Sequence, residues 1–472
     1  MNRLGHLSLI LIATLWLTPL IGADFQAGAA KVDITPAMGV SLSGSISKNG
    51  VVTSVHDPLH ARALVISDGK TKLAIVVVDQ CMTAREVFDN AKLQVAAATD
   101  IDVDHMLMAA THTHAAPRTV HIGREAIDDR YHERLADKIA LAVIGANKHL
   151  SPATIAHASF RRGELVACRR FLCQSGSVGK NPFGESGEQV KSVAGSSSQI
   201  IEPAGPVDGE FSVLSIRHRD GTPLCVLGNF SVHYCGGYKR GAVSADYFGY
   251  FCAAIERSLS SRTSGHPDVI GIMSNGTSGD TGAFQNLQKR KFAPFEAMEF
   301  YGRMLAEQAI DAMESVEHRR DVTIQSVQRE VELAVRKPDT ERLAWAEQVL
   351  DGADPKSLHR WSKIYAEEAK HLAAYPEKQK VVLQALRIGQ IAITAAPCEV
   401  FAETGLAIKA ASPFPKTFNM ELANGYGGYL PTLQQHKLGG YETWPARSSL
   451  LEVGAEAVIR SQLIEMLAEL SE

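Results

Sequence analysis

The sequence predicts a layered α/β fold with mixed β-sheets and packed helices, in which one large domain accounts for most of the chain. Short apolar runs recur along the sequence, and each one ends in a polar or glycine-rich segment. Segments with apolar residues at three- and four-residue spacing lie between these runs. Near-continuous apolar runs are typical of strands that are buried on both faces. Strands that alternate with helices indicate a layered α/β domain.

Five apolar runs carry the strand prediction, and each precedes polar residues. The predicted strands cover 72–78, 105–110, 223–231, 269–273 and 388–393. Helical spacing of apolar residues predicts helices over 128–148, 245–259, 295–316, 339–374 and 456–470. Folds of this class place their functional sites beyond strand ends, so the polar residues that follow the strands are the first candidates.

The first 23 residues are predicted to be an export signal. Arg3 supplies a positive start, residues 7–20 form an apolar stretch, and small residues precede a cleavage point near Ala23. A membrane span needs about 20 apolar residues, which makes an uncleaved anchor the less favoured alternative. We therefore expect an exported protein, at the cell surface, in a periplasm or secreted, with one catalytic domain over residues 24–472.

Composition gives no reason to expect nucleic-acid binding or a chemistry based on cysteine. A net charge of −4 without long charged runs gives no basis for nucleic-acid binding. The seven cysteines are odd in number and form no paired-ligand spacing, which favours free thiols, with a local Cys168–Cys173 bridge as the alternative. Residues 175–205, rich in Gly and Ser, predict a long surface loop that is either a functional lid or merely mobile.

His112 and His114 follow the second predicted strand in the run 111–114. Alternate residues of an extended segment point to the same side, so both imidazoles can face one cavity. Pairs of histidines at this spacing suit zinc, copper or iron, but two hydrogen-bonded histidines at a strand end are an equally good interpretation of this pair alone.

His233 and Glu399 follow two other predicted strands. Each has an ordinary interpretation, because a histidine can simply end a strand and a carboxylate is favoured in the first turn of a helix. Two histidines and one carboxylate nevertheless make up a common catalytic zinc set that leaves room for water.

Ordered motifs across the chain resemble one protein family, the neutral, non-lysosomal ceramidases, which are zinc amidases that cleave the N-acyl bond of ceramide. These motifs are AKVDITP at 30–36, HDPLHARA at 56–63, ATHTH at 110–114, ANGYGGY at 423–429 and GYE at 440–442. The resemblance runs from near Ala27 to the C-terminus. It implies the family's catalytic domain without the immunoglobulin-like C-terminal domain of its larger members.

The resemblance implies a zinc site with ligands at His112, His233, Glu399 and Tyr429. Zinc lowers the pKa of a bound water towards about 7, which would supply a hydroxide for amide hydrolysis. A lipid substrate of this kind would be compatible with peripheral contact with a membrane surface.

The resemblance also implies catalytic residues beside the metal. His114 would handle the substrate or a proton, and Tyr441 would contact the amide oxygen or the intermediate. One of Arg169 and Arg170 stands where the family keeps a site arginine, and Arg170 is the residue assigned here.

Gly282 departs from the family pattern, which has a serine two positions after the Gly-Asp of the 274–282 block. Ser278 or Thr281 could replace that serine, although turn formation suits both residues equally well. The departure keeps two alternatives open. One is a zinc amidase or esterase for another substrate, such as an N-acylated sugar, and the other is a catalytically silent binding protein that retains metal.

Overall fold

The computed structural model describes residues 24–47, 49–192, 198–262, 265–283, 292–352, 354, 356 and 358–472. The predicted export signal, residues 1–23, lies outside these ranges. Within them, no helix combines the length and the apolar character needed to cross a membrane.

The larger sheet has eight strands and mixed topology. Its strands are β1 (Gln26–Asp33), β3 (His60–Ser67), β4 (Lys72–Val78), β5 (Met106–Ala110), β6 (Ser151–Arg161), β11 (Glu210–His218), β12 (Pro223–Phe230) and β14 (Ile270–Asn275). Their order is β14-β12-β11-β6-β1-β3-β4-β5. The two outermost pairs, β12–β14 and β4–β5, are parallel, and the other neighbours are antiparallel.

A second sheet of four strands is formed by β16 (Ile324–Ala334), β17 (Lys378–Ile388), β18 (Ile391–Ala395) and β20 (Lys416–Met420), in that order. Short strands form four small sheets, and they are β2 (Ser54–Val55), β7 (Val166–Cys168), β8 (Arg170–Cys173), β9 (Val190–Ser192), β10 (Ile200–Pro203), β13 (Ala242–Val243), β15 (Thr281–Ala283), β19 (Glu399–Val400) and β21 (Tyr429–Leu430).

The structure contains helices on the outer faces of the two large sheets and others that pack outside them. They are α1 (Arg85–Ala98), α2 (Asp129–Lys148), α3 (Asp246–Leu259), α4 (Glu296–Glu314), α5 (Thr340–Leu350), α6 (Ser362–Ala374), α7 (Ala402–Ala411), α8 (Leu433–Leu438) and α9 (Ala455–Ser471). Helices α5 and α6 belong to the second group and pack against each other. The predicted helix over 339–374 is therefore wrong as a single element, because the chain turns between α5 and α6 at Gly352, whose φ is 114°.

Four layers result from this packing. One hydrophobic core lies between the two large sheets and joins residues such as Leu64 and Ile272 to Ile393 and Phe418. The opposite face of the larger sheet packs against α1 and α2 at one end and α3 and α4 at the other. Helix α9 covers the outer face of the smaller sheet. The layered α/β prediction with mixed sheets is confirmed.

The larger sheet curls so that its two edge strands come together at one end. Asn275, the last residue of β14, donates a side-chain hydrogen bond of 3.2 Å to the carbonyl of Thr111, which follows β5 at the other edge. The segments that follow β5, β12 and β14 therefore meet. The segment after β18, from the second sheet, joins them, since Gly279 donates a backbone hydrogen bond of 2.8 Å to Val400.

Candidate active site

Three side chains from distant parts of the sequence converge where these segments meet. The Nε2 atoms of His112 and His233 lie 2.9 Å apart. One carboxylate oxygen of Glu399, Oε2, lies 3.5 Å from the Nε2 of His112 and 3.8 Å from that of His233. All three residues are almost fully buried, with 2–3% of their surface exposed. The structure thus brings together three of the four residues proposed as metal ligands.

Hydrogen bonds on the far side of each imidazole ring determine which nitrogen faces the site. The Nδ1 of His112 lies 2.7 Å from the carbonyl oxygen of Cys81, and the Nδ1 of His233 lies 3.1 Å from that of Ser278. A carbonyl oxygen only accepts, so each Nδ1 carries a proton and each Nε2 is the nitrogen that can offer its lone pair to a cation.

The three groups fit a bound cation. Two imidazole lone pairs and a carboxylate oxygen face one another, and Glu399 Oε2 has no hydrogen-bond partner although it is buried. Buried polar atoms without partners are rare in proteins, and lone pairs that face one another repel. A divalent cation bound by all three would satisfy every one of them. The distances between the donor atoms are of the size expected for ligands about 2 Å from a shared ion.

The backbone at His112 is held in an unusual conformation. His112 has a φ of 77°, in the left-handed region that side chains other than glycine seldom adopt. Its backbone N–H donates a hydrogen bond of 2.8 Å to the carbonyl of Gln80, and this bond stabilises the turn. Residues held in such conformations cluster at functional sites, because the surrounding structure must maintain them.

Tyr429 is carried to the site by its pairing with Glu399. The two residues are direct partners in the parallel β19–β21 pair, and such partners project to the same face of a sheet. The Tyr429 hydroxyl accepts a hydrogen bond of 3.0 Å from the Nη2 of Arg169 and lies 3.5 Å from the hydroxyl of Tyr441. Burial, Glu399 and Tyr441 together raise the pKa of Tyr429 well above its usual value.

His114 stands beside the three converging groups without being one of them. Its Nε2 lies 3.2 Å from that of His112, but it falls in a second group of potential donors, with Cys81 and His112. Its ring stacks on Tyr234 at a centroid distance of 3.9 Å. Burial, His112 and Arg169 lower the pKa of His114 well below its usual value, so the ring is neutral at neutral pH.

The two neighbouring arginines differ in position. Arg169 lines the same cavity as the three converging residues, and it donates a hydrogen bond of 2.7 Å to the carbonyl of Gly279. Arg170 is completely buried in the protein wall, where it pairs with Glu442 at 2.5 Å. Arg170 begins strand β8, so its side chain points away from that of its neighbour. The structure therefore brings Arg169, and not Arg170, to the site.

Other residues at the site were not identified from the sequence. The Tyr426 hydroxyl donates a hydrogen bond of 2.8 Å to Glu399 Oε1, which leaves Oε2 directed at the histidines. Tyr426 lies inside the ANGYGGY motif, which was the only sequence signal for it. Cys81 and Tyr234 gave no signal, since their roles depend on contacts with His112 and His114 across the fold.

His112, His233 and Glu399 lie in the wall of a cavity of about 670 Å³. One part of its lining is apolar and includes Ile46, Met82 and Ile122, which belong to one hydrophobic cluster. The predicted loop over 175–205 and the segment between α5 and α6 also line the cavity. They contribute Val178, Lys180, Asn181, Val190, Lys191, His359, Arg360 and Trp361. An elongated substrate with apolar and polar portions suits such a lining.

The 274–282 block, in which Gly282 stands at the position of the family's serine, offers no exposed hydroxyl group. Ser278 and Thr281 are completely buried, and the Ser278 hydroxyl donates to Glu421. Gly282 lies on β15 next to Arg169, and the nearest atom to an added Cβ would be 3.9 Å away. All seven cysteines are free, as the sequence favoured.

Comparisons with known proteins agree with this architecture. The chain is similar in fold to the solved structure of the neutral ceramidase from Pseudomonas aeruginosa, with 20% identity, a TM-score of 0.70 and coverage of 95% of this chain and 74% of the other. A second solved structure, a ceramidase complexed with C2, gives 19% identity, a TM-score of 0.72 and coverage of 95% and 75%. No curated protein sequence gives a significant match.

Sequence comparison goes further than fold. Residues 25–289, more than half of the chain, match the N-terminal part of the neutral/alkaline non-lysosomal ceramidases. Ceramidases are hydrolases, and the matched region includes both converging histidines. The resemblance seen in the motifs is thereby confirmed, and the chain belongs to the neutral/alkaline non-lysosomal ceramidase family.

Proposed function

We propose that this protein is a zinc-dependent amidohydrolase that cleaves the N-acyl bond of a ceramide-like lipid. The observation that carries the proposal is the convergence of His112, His233 and Glu399 in a cavity wall, with both Nε2 lone pairs and an unpartnered carboxylate oxygen directed at one point. Two histidines and one carboxylate are a ligand set of catalytic zinc sites, and this donor set is the argument for zinc over harder ions.

Tyr429 is proposed as the fourth ligand. Its pairing with Glu399 directs both side chains to the same face, and the hydrogen bond from Arg169 favours a phenol oxygen that carries negative charge. When bound, zinc would supply Lewis-acid polarisation of the scissile carbonyl and an acidified water. The catalytic work of the chain itself falls to residues beside the ligands.

His114 is proposed to move the proton. Its Nε2 lies on the ligand side of the ring, and its lowered pKa keeps it neutral and able to accept the proton of the attacking water. Returning that proton to the leaving amine completes hydrolysis to a carboxylate and an amine. Tyr441 and Arg169 line the same cavity and would donate hydrogen bonds to the oxyanion as it forms.

A second candidate is the same chemistry on an amide or ester other than ceramide, such as an N-acylated sugar. Gly282, in place of the family's serine, favours this candidate, as do the polar and cationic residues of the lining, among them Lys180 and Lys191. The catalytically silent binding protein is disfavoured, because a purely structural site does not need a cavity at its ligands. We further propose export after cleavage near Ala23 and a single catalytic domain over residues 24–472.

The test combines metal analysis with turnover. The purified protein should contain one zinc per chain by elemental analysis, hydrolyse N-acyl amides, lose activity to a chelator and regain it with zinc. Glu399→Gln should lose both metal and turnover. Glu456→Gln changes another buried carboxylate, one that bonds Thr404 and Arg460, and should change neither. Full activity in the metal-free protein or in Glu399→Gln would overturn the proposal.

A panel of substrates separates the two candidates. Ceramides of several acyl lengths, N-acylated sugars and simple esters would be compared by kcat/KM at one pH. A preference for ceramide supports the first candidate, and a preference for another acyl compound supports the second.

A further inference from the structure

Glu421 is a buried carboxylate that the proposed mechanism does not use. It directly follows β20 and has no exposed surface. Its hydrogen-bond donors are neutral groups: the backbone N–H of Val400 at 2.8 Å, the backbone N–H of Ser278 at 3.1 Å, and the Ser278 hydroxyl. Burial disfavours the charged form of this group and raises the pKa of Glu421 to about 8. A carboxyl group buried at such a cost is seldom retained for stability alone.

The partners of Glu421 belong to the segments that carry two of the ligands. Its Oε2 accepts from both Ser278 and Val400. The carbonyl of Ser278 is the acceptor that fixes the Nδ1 proton of His233, and Val400 directly follows Glu399. One oxygen atom therefore joins the residue that orients His233 to the residue that directly follows Glu399.

The backbone of Glu421 connects to the third ligand. Its N–H donates a hydrogen bond of 3.3 Å to the carbonyl of Asn275. The side chain of Asn275 in turn donates a hydrogen bond of 3.2 Å to the carbonyl of Thr111, which directly precedes His112. The segments of His112, His233 and Glu399 are thus all linked to one residue, although they come from different parts of the fold.

A second interpretation of the contact with Ser278 is a base that activates a serine nucleophile. Ser278 has no exposed surface, and it does not belong to the cavity lining. A nucleophile must reach the substrate within about 3–3.5 Å. The contact therefore fixes the position of the loop and does not activate the serine.

From these contacts we infer that Glu421 is a positioning residue, whose carboxylate holds the ligand-bearing segments at the spacing that a metal ion requires. The inference rests on the proposed metal centre. Groups that orient metal ligands influence affinity strongly, and their loss typically weakens metal binding about 10- to 100-fold. Glu421 acts through Ser278 and Val400, since it belongs neither to the converging donor groups nor to the cavity lining.

Metal affinity is the readout that separates positioning from a structural role. Glu421→Leu removes both acceptor oxygens, whereas Glu421→Gln retains one oxygen for the two backbone N–H groups. Zinc dissociation constants would be measured by competition with a chromophoric chelator, and the visible absorption of the Co²⁺-substituted protein would report the ligand geometry. We expect affinity about 10- to 100-fold weaker in Glu421→Leu, with altered Co²⁺ bands, and a smaller loss in Glu421→Gln.

Controls make each outcome decisive. Glu456→Gln alters a buried carboxylate that accepts a hydroxyl hydrogen bond from Thr404 at 2.8 Å, and it should leave affinity unchanged. If Glu421→Leu does not fold, Ser278→Ala removes one donor alone and should weaken binding measurably. A lower Tm with wild-type affinity and wild-type Co²⁺ bands would overturn the inference. Wild-type protein that binds no metal would instead overturn the proposed function.

Discussion

Substitution of Gly279 by alanine tests how closely the ligand segments must approach each other. Gly279 directly follows Ser278, and its N–H donates a hydrogen bond of 2.8 Å to the carbonyl of Val400. A Cβ atom added here would lie 2.4 Å from the carbonyl oxygen of Glu399 and 2.7 Å from its carbonyl carbon. Both are backbone atoms of a proposed metal ligand, so neither can rotate away.

The displacement follows from ordinary contact distances. Non-bonded atoms pack at about 3.5 Å or more, so the two segments must separate by about 1 Å. Overpacking of this kind costs about 1–3 kcal/mol of the free energy of unfolding. Catalysis suffers more, because a displacement of about 1 Å in a catalytic group lowers turnover about 100-fold. Gly279→Ala should therefore leave most of the protein folded but poorly active.

Three measurements on Gly279→Ala check this reasoning. Urea unfolding gives the free energy, chelator competition gives zinc affinity, and amide hydrolysis gives kcat/KM. Gly163→Ala is the control, since an added Cβ there meets nothing within 4 Å. Wild-type zinc affinity and turnover in Gly279→Ala would show that the segments tolerate separation, and would refute the argument.

Three further predictions concern single residues. His114→Ala should retain zinc by elemental analysis while turnover falls at least about 100-fold, and the lowered pKa of His114 should place the acid limb of the wild-type kcat/KM profile below pH 6.5. Loss of zinc in this variant would make His114 a ligand. Arg169→Met should lower turnover with little change in Tm. Arg170→Met removes the 2.5 Å ion pair of buried Glu442 and leaves it only Arg169 at 3.8 Å and the Ser192 hydroxyl, so it should cost up to about 3–5 kcal/mol in urea unfolding. The reverse pattern would restore Arg170 to the site. Burial lowers the pKa of His157 to about 4, so between pH 6.5 and 4 the unfolded chain binds more protons than the folded one. The free energy of unfolding should therefore fall by up to about 3 kcal/mol as the pH is lowered from 6.5 to 4. His157→Gln should lose this part of the pH dependence, and an unchanged slope would contradict it.

Strands and helices with strong local patterns could be predicted from the sequence. The strand over 72–78 matches β4, since a run that is buried on both faces leaves no competing pattern. The predicted strand over 388–393 was wrong at its start, because the chain reverses at Gly389, with a φ of 62°, between β17 and β18. Apolar residues on both sides of that turn concealed it, and the glycine was the only signal.

The candidate site was only partly predictable, and the reason lies in the nature of each contact. His112 and His233 each follow an apolar strand, which is a local pattern. The choice between Arg169 and Arg170 depends on which side chain faces the cavity where β8 begins, and nothing in two identical neighbouring residues indicates it. The role of Glu421 depends entirely on contacts with residues that are distant in sequence.

The missing serine at position 282 removes no group that the proposed activation of water requires. Gly282 lies next to Arg169 with room for a side chain, so packing does not account for the missing serine. The two hydroxyl groups considered as replacements, those of Ser278 and Thr281, are both buried, and that of Ser278 donates to Glu421. The groups proposed to move the proton and bind the oxyanion, His114 and Tyr441, come from other segments and are complete. The proposed water route therefore does not depend on a serine at position 282.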